Sequence, residues 1–376
     1  MGNTTTSLPD VKTLVPVAPE VPAIRTRGRI HVLDGLRLLA ALAVVVYHFT
    51  AREGAWSVDA KSLFPAVFTP AAYGWLGVQL FFLISGFVIC MSCWGRTLGD
   101  FFVSRVIRLF PAYWFAVLAT AAVLTLTRGD GPRLSVSTIL TNLTMLQEPL
   151  GVHHVDGVYW TLFAEMRFYL LFAALAWWGL TYRRVLTFCW VWVVASALFS
   201  QYGDGPVRLL VMPDNSWYFI GGMAFYLIHR FGLNLLLGSL VLVSFGGALP
   251  SLHSAWSQVP TYIGHAIPYG PTVVILAVCF AVMALVATDR LSWIKWRWLP
   301  YAGALTYPLY LLHQDIGRKI IGALEPYLSP YAVVGITLAV LLLASWLVHR
   351  LVERPLAKRL KRGLTQSLSQ VRAATS

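Results

Sequence analysis

Apolar residues run along this chain in long blocks separated by short polar stretches. Ten blocks stand out, at roughly 32–50, 72–94, 110–127, 158–180, 184–201, 215–229, 233–249, 269–288, 300–317 and 331–352. Their lengths bracket the ~20 residues that carry a helix across the hydrocarbon core of a bilayer. The pattern predicts an all-α fold, a polytopic transmembrane bundle of about ten spans. The sixth block is the shortest and is interrupted by Gly221 and Gly222. Residues 134–150 predict a short helix lying on the membrane or dipping into it. No internal repeat, heptad seam or appended soluble domain is visible.

Three regions follow. Residues 1–29, rich in Thr, Val and Pro and without aromatics, predict a disordered N-terminal tail. A cleaved leader is not expected, because the first apolar block itself carries Asp34 and Arg37. Residues 30–356 form the membrane domain. Residues 357–376 form a basic C-terminal tail whose Lys358, Arg359, Lys361 and Arg362 suit a segment held at anionic lipid.

Composition sharpens the picture. Hydrophobic residues make up 57% and charged residues 12%, about half the ~25% charge of a soluble domain. The mean hydropathy of +0.67 leaves too little polarity to cover a water-facing surface of this size. A net charge of +13 would suit nucleic acid, but the basic residues sit between apolar blocks, so no nucleic-acid partner is expected. With both termini cytoplasmic, 20 of the 29 Lys and Arg fall inside and seven outside, with Arg37 and Arg167 within spans. That asymmetry supports an even number of spans. Four cysteines, all within apolar blocks, read as small buried hydrophobes; Cys90-x-x-Cys93 lacks the context of a redox motif.

Ionisable groups inside spans are costly and therefore mark function. His48 follows Arg37 by eleven residues. On a helix that places them within about 20° of one stripe and about 16 Å apart in depth. A cationic anchor and a titratable base on one stripe suit a ligand with an anionic head and a long reactive arm. Glu165 enters with the fourth span from the outer side, and counting from the surface puts it near the depth of His48. There it would orient the imidazole. Arg105 and Arg108, in the cytoplasmic loop before the third span, are spaced to present two guanidinium forks on one face to a phosphate. His313 and Ser85 are further polar residues within spans, and Ser85 with Gly86 stands mid-membrane, where a small residue allows close helix approach. Each has a plain structural alternative: Arg37 reaching the interface, an ion pair binding helices, positive-inside anchoring for the arginine pair, close packing at Ser85. His153 and His154 are weak evidence for a metal, HExxH is absent, and no metal is expected.

Taken in order, LDGLRLLAALAVVVYHF, FFLISGFVI, SRVIRLFPAYW, YWTLFAEMRFY, YPLYLLHQ and VERPL resemble the membrane-bound acyltransferase-3 family over about residues 30–358. The resemblance implies acyl transfer from acyl-CoA, as co-substrate with no bound cofactor, to a hydroxyl of a glycan, glycolipid or glycosylated natural product such as a macrolide. It also implies a multi-pass protein of a bacterial plasma membrane. The family's basic-x10-His element falls on Arg37 and His48, its arginine pair on Arg105 and Arg108, and its W-[ST]-L-x-x-E element on Trp160 and Glu165. Met166 stands where many members carry a second acid, so a second carboxylate is not expected to act. Some members carry an additional esterase-like domain after the bundle, and none is expected here.

The expected chemistry is a direct transfer, with His48 as general base and Glu165 orienting it. Arg37, Arg105 and Arg108 would hold the phosphates, and Trp160, Tyr169 or Ser85 would donate to the oxyanion. His313 would line the substrate site. The competing reading is a proton-coupled transporter of a sugar or amphiphile, whose paired halves the sequence does not display. Oligomeric state is not legible.

Overall fold

The computed structural model describes residues 29–127, 134–201 and 205–375; residues 1–28 of the expected tail lie outside the described residues, as do Arg128 and Arg133. The chain folds as α1 (His31–Thr50), α2 (Ala60–Leu63), α3 (Phe68–Ala71), α4 (Gly77–Cys93), α5 (Leu98–Leu126), α6 (Val136–Leu143), α7 (Trp160–Trp178) and α8 (Tyr182–Phe199). It continues as α9 (Pro206–Val211), α10 (Ser216–Phe231), α11 (Leu235–Ile263), α12 (Tyr269–Ala287), α13 (Leu299–Leu312), α14 (Asp315–Leu324), α15 (Pro330–Val348) and α16 (Arg354–Thr375). No strand occurs among the described residues. All ten apolar blocks are helical, as α1, α4, α5, α7, α8, α10, α11, α12, α13 and α15. Eight helical segments are long and apolar enough to cross a membrane. Of the two shorter helices, α10 is enclosed by the others, whereas α13 is buried mainly in its second half and exposes Tyr301.

Local signals explain many of the boundaries. Thr97, Ser135, Thr181 and Asn234 each cap a helix by accepting a backbone N–H with the side-chain oxygen. Gly179, Gly232 and Gly264 end α7, α10 and α11 with positive φ. Where the sequence places a cytoplasmic loop, α5 has already begun at Leu98, with Asp100 in its first turn under the Thr97 cap. Arg105 and Arg108 are therefore helical residues. The block expected to stop at 249 continues as α11 through Pro250 and Pro260 to Ile263, since packed membrane helices tolerate proline. The ninth block breaks at His313–Gln314, and α14 starts afresh at Asp315. The basic C-terminal tail is helical, joined to α15 by a π-turn over His349–Glu353, and α16 lies against α5.

The helix ends alternate between two faces. The start of α1 shares a groove with the ends of α10 and α12, lined by Arg29, His31, His229, Asp289 and Lys295. The chain after α1 meets the end of α11 on the opposite face, where Glu53 N–H donates to the Tyr262 carbonyl at 2.8 Å. The Lys and Arg asymmetry along the sequence would put the first face on the cytoplasmic side.

At the centre, every residue of α10 from Ser216 to Ile228 is buried, and α4, α8, α11 and α12 pack around it. Small residues allow the closest approach. A Cβ on Gly222 would stand 2.1 Å from the Leu83 carbonyl oxygen, and one on Gly86 2.3 Å from that of Phe219. The small-residue contact expected of Gly86 is thus made with Gly222. Cys90, Cys93 and Cys189 are buried free thiols.

Candidate active site

Two chambers occupy the bundle interior. The outer one, about 530 Å³, is lined by His48 and Arg52 of the α1 end, Gln79 of α4, Trp160 of α7 and Tyr218 of α10, with Ser251, Ser254 and Gln258 of α11. The inner one, about 90 Å³, is lined by Arg37 of α1, Ser85 of α4, Arg108 of α5, Glu165 of α7 and Tyr307 of α13. Val78 and Tyr310 line both, so the two chambers adjoin at these residues. Arg37 and His48 sit on one stripe of α1, Arg37 in the inner chamber and His48 in the outer.

The inner chamber is charged. Asp34 is buried and accepts two hydrogen bonds from Arg29, at 2.7 and 3.0 Å, with Arg37 at 4.0 Å. Gly303 lets α13 pass close by, since a Cβ there would lie 2.6 Å from the Asp34 carboxylate. Glu165 accepts from Ser85 Oγ at 2.8 Å and from the Tyr169 hydroxyl. Arg108 lies exposed at the edge of the inner chamber. Arg105 is not among the lining residues: a three-residue step leaves the two arginines about 60° apart on the helix. Its guanidinium instead sits 5.7 Å from the Tyr169 ring and 5.9 Å from that of Phe101.

The expected contact between Glu165 and His48 is not made. Glu165 belongs to the inner chamber, with Ser85 and Tyr169 as partners. The reason is where α7 begins. Asp156, Val158 and Tyr159 are buried, so the chain is already inside the protein when the helix starts at Trp160, level with the His48 chamber. Five residues further along, Glu165 is about 7.5 Å deeper. Arg167 points away from Glu165 as helical spacing requires, donating to the Leu209 carbonyl at 2.9 Å and facing Glu148 at 3.7 Å.

The neighbour of His48 is His313. The rings meet edge to face with centroids 4.9 Å apart. His313 is fully buried, and the Tyr310 hydroxyl beside it shares a 2.9 Å hydrogen bond with Thr161. Sequence reasoning did not single out Tyr310, Thr161, Gln79 or Arg52: Thr161 and Tyr310 lie within W-[ST]-L-x-x-E and YPLYLLHQ without being assigned a role, and Gln79 and Arg52 carry no such mark. His154 bonds Gln147 at 3.0 Å. Among the described residues no group of three or more His, Cys, Asp or Glu is placed to hold a metal.

A buried acid pins the approach to α7. Asp156 accepts from the N–H groups of Val158 and Asp315, each at 3.1 Å, and Gly157 lies against Gln314. Burial, and then the nearby Asp315 carboxylate, raise the Asp156 carboxyl to about 8, against the pull of those two N–H groups and Arg318. The native state therefore keeps a proton that the unfolded chain releases near pH ~4. The stability this contributes is present at low pH and is lost as pH rises through about 8. The thermal midpoint of the wild type is expected to fall between pH 6 and 9, and that of Asp156→Asn to vary less. Equal falls in the two proteins would assign the effect elsewhere.

Known proteins agree with this architecture. A family model described as an acyltransferase domain matches residues 30–350. The chain is 25% identical over 327 residues to YrhL of Bacillus subtilis (strain 168), whose name assigns it peptidoglycan O-acetylation. That match takes in 76% of this chain and 48% of the relative. It is 22% identical over 365 residues to the acyltransferase MdmB of Streptomyces mycarofaciens, covering 89% of this chain and 93% of that one. The chain thus spans about half the length of the first relative and nearly all of the second. No solved structure matches. With the family model running from the start of α1 to the end of α15, the chain belongs to the membrane-bound acyltransferase-3 family.

Proposed function

We propose that this membrane acyltransferase takes its acyl group from acyl-CoA on the cytoplasmic side and delivers it to a hydroxyl of a glycoside or glycan in the outer chamber. The observation that carries the reading is the pair of adjoining chambers that share Val78 and Tyr310, with Arg37 and Arg108 lining the inner one and His48 the outer. Coenzyme A has an anionic nucleotide end and a thin arm ending in the thioester. Arg108 and Arg37 suit the phosphates through charge-assisted hydrogen bonds, and the narrow inner chamber suits the arm. The outer chamber, lined by hydroxyl and amide side chains with Trp160 and Tyr218, suits a sugar. The name of the Bacillus relative points to the same acceptor class.

In the reaction, His48 removes the proton from the acceptor hydroxyl as its oxygen attacks the thioester carbonyl. The carbon–sulfur bond then breaks, and the proton passes on to the departing thiolate. A thiol of pKa ~8.5 leaves with little acid assistance. Ser85 and Tyr169 already donate to Glu165, so among the expected oxyanion donors Trp160 remains. Glu165 offsets the charge of Arg37 and Arg108 in the inner chamber.

The test is transfer itself. Protein in nanodiscs is given acetyl-CoA labelled in the acetyl group with a panel of glycosides and muropeptides, and products are read by mass spectrometry. The label is expected on an acceptor hydroxyl with stoichiometric release of free thiol. Absence of CoA binding and of any labelled acceptor, with proton-driven sugar uptake in proteoliposomes, would overturn the reading in favour of transport.

A further inference from the structure

The nitrogens of His48 and His313 are complementary in one way only. Nδ1 of His313 lies 2.7 Å from the Tyr310 carbonyl oxygen. A carbonyl only accepts, so this nitrogen carries the hydrogen, and Nε2 of the neutral ring is left as an acceptor. That Nε2 is buried without a hydrogen-bond partner, and so is Nδ1 of His48. The two rings touch at 4.9 Å between centroids and 79° between planes. Buried unpaired polar atoms are costly, and the two rings that carry these nitrogens are in contact. With His313 Nε2 fixed as acceptor, only a hydrogen on His48 Nδ1 satisfies both.

We propose that His313 is a positioning residue that holds His48 in the Nδ1–H tautomer, leaving His48 Nε2 as the basic nitrogen toward the outer chamber. The chain of contacts runs from the Tyr310 carbonyl through His313 to His48. Its origin is the break between α13 and α14, where His313 follows the last residue of α13 and turns its ring back onto the carbonyl three residues earlier. The two nitrogens are not hydrogen-bonded in the structure, and catalytic hydrogen bonds commonly tighten only around substrate. A neutral imidazole here takes the place commonly held by a carboxylate, so the base is oriented without Glu165. The inference rests on His48 acting as the base.

The test compares His313→Ala with His313→Gln, whose amide oxygen can accept where Nε2 does. His313→Ala is expected to lower kcat about 10²-fold, leaving the KM for acyl-CoA and for acceptor within about twofold. His313→Gln should recover most of the loss. In protein labelled with 15N-histidine, with His48 assigned by its absence in His48→Ala, the His48 signals should show a hydrogen on Nδ1 in the wild type and in His313→Gln. In His313→Ala they should shift toward a mixture of tautomers. An unchanged kcat in His313→Ala, or an unchanged His48 tautomer, overturns the positioning role while His48→Ala remains inactive. Full activity in His48→Ala removes the base reading instead, and this inference with it.

Discussion

Replacing His48 by alanine is expected to lower acyl transfer about 10²–10⁴-fold, the span typical of a lost general base. A neutral hydroxyl is a weak nucleophile, and neither of the other charged residues lining the outer chamber suits the role of base. Arg52 is a cation, and Asp214 is committed to Arg208 at 2.9 Å. The fold should survive the change. Val44, Val45 and Phe49 still bury the rest of that turn, and the imidazole makes no hydrogen bond through Nδ1 that the bundle would lose. The measurement is labelled acetyl transfer normalised to monodisperse protein, with a thermal midpoint to confirm folding. A folded variant that transfers at the wild-type rate would end the case for His48.

Arg108→Ala is expected to raise the KM for acyl-CoA about tenfold, the ~1.5 kcal/mol of one hydrogen bond to a charged group at a partly hydrated mouth. The acceptor KM and kcat should hardly move, because the phosphates lie far from the breaking bond. Arg108→Lys should recover only part of the loss, since an ammonium lacks the guanidinium fork. Raising the salt concentration should weaken wild-type donor binding more than that of the alanine variant. Arg108 is the cleaner probe of the two inner-chamber cations, because Arg37 also stands by the buried Asp34. If the acceptor KM rose instead, the inner chamber would belong to the acceptor.

The sequence disclosed what depends on one helix and lost what depends on two. Ten apolar blocks fixed ten helices because bilayer crossing imposes length and hydrophobicity locally. The Arg37–His48 stripe was readable for the same reason, being periodicity within α1. Glu165 was placed at the level of His48 because depth was counted from the surface, and only tertiary structure reveals that Asp156, Val158 and Tyr159 are already buried before α7 starts. Arg105 and Arg108 looked like loop residues because polar positions between apolar blocks read as connections, whereas α5 begins at Leu98. Gly86 was recognisable as a contact residue, but its partner Gly222 was not. The ring contact of His48 with His313 joins residues 265 apart in the chain, a distance no periodicity spans.

The complete enclosure of α10 has a consequence for biogenesis. As the polypeptide emerges from the ribosome, α4 and α8 precede this segment, while α11 and α12 follow it. Half of its final surroundings do not exist when it is inserted, so its exposed side must be covered by lipid or by the insertion machinery until they arrive. The innermost piece of the enzyme is thus completed late, and a chain stalled between residues 231 and 287 would have made every aromatic of α10 without being able to seal it.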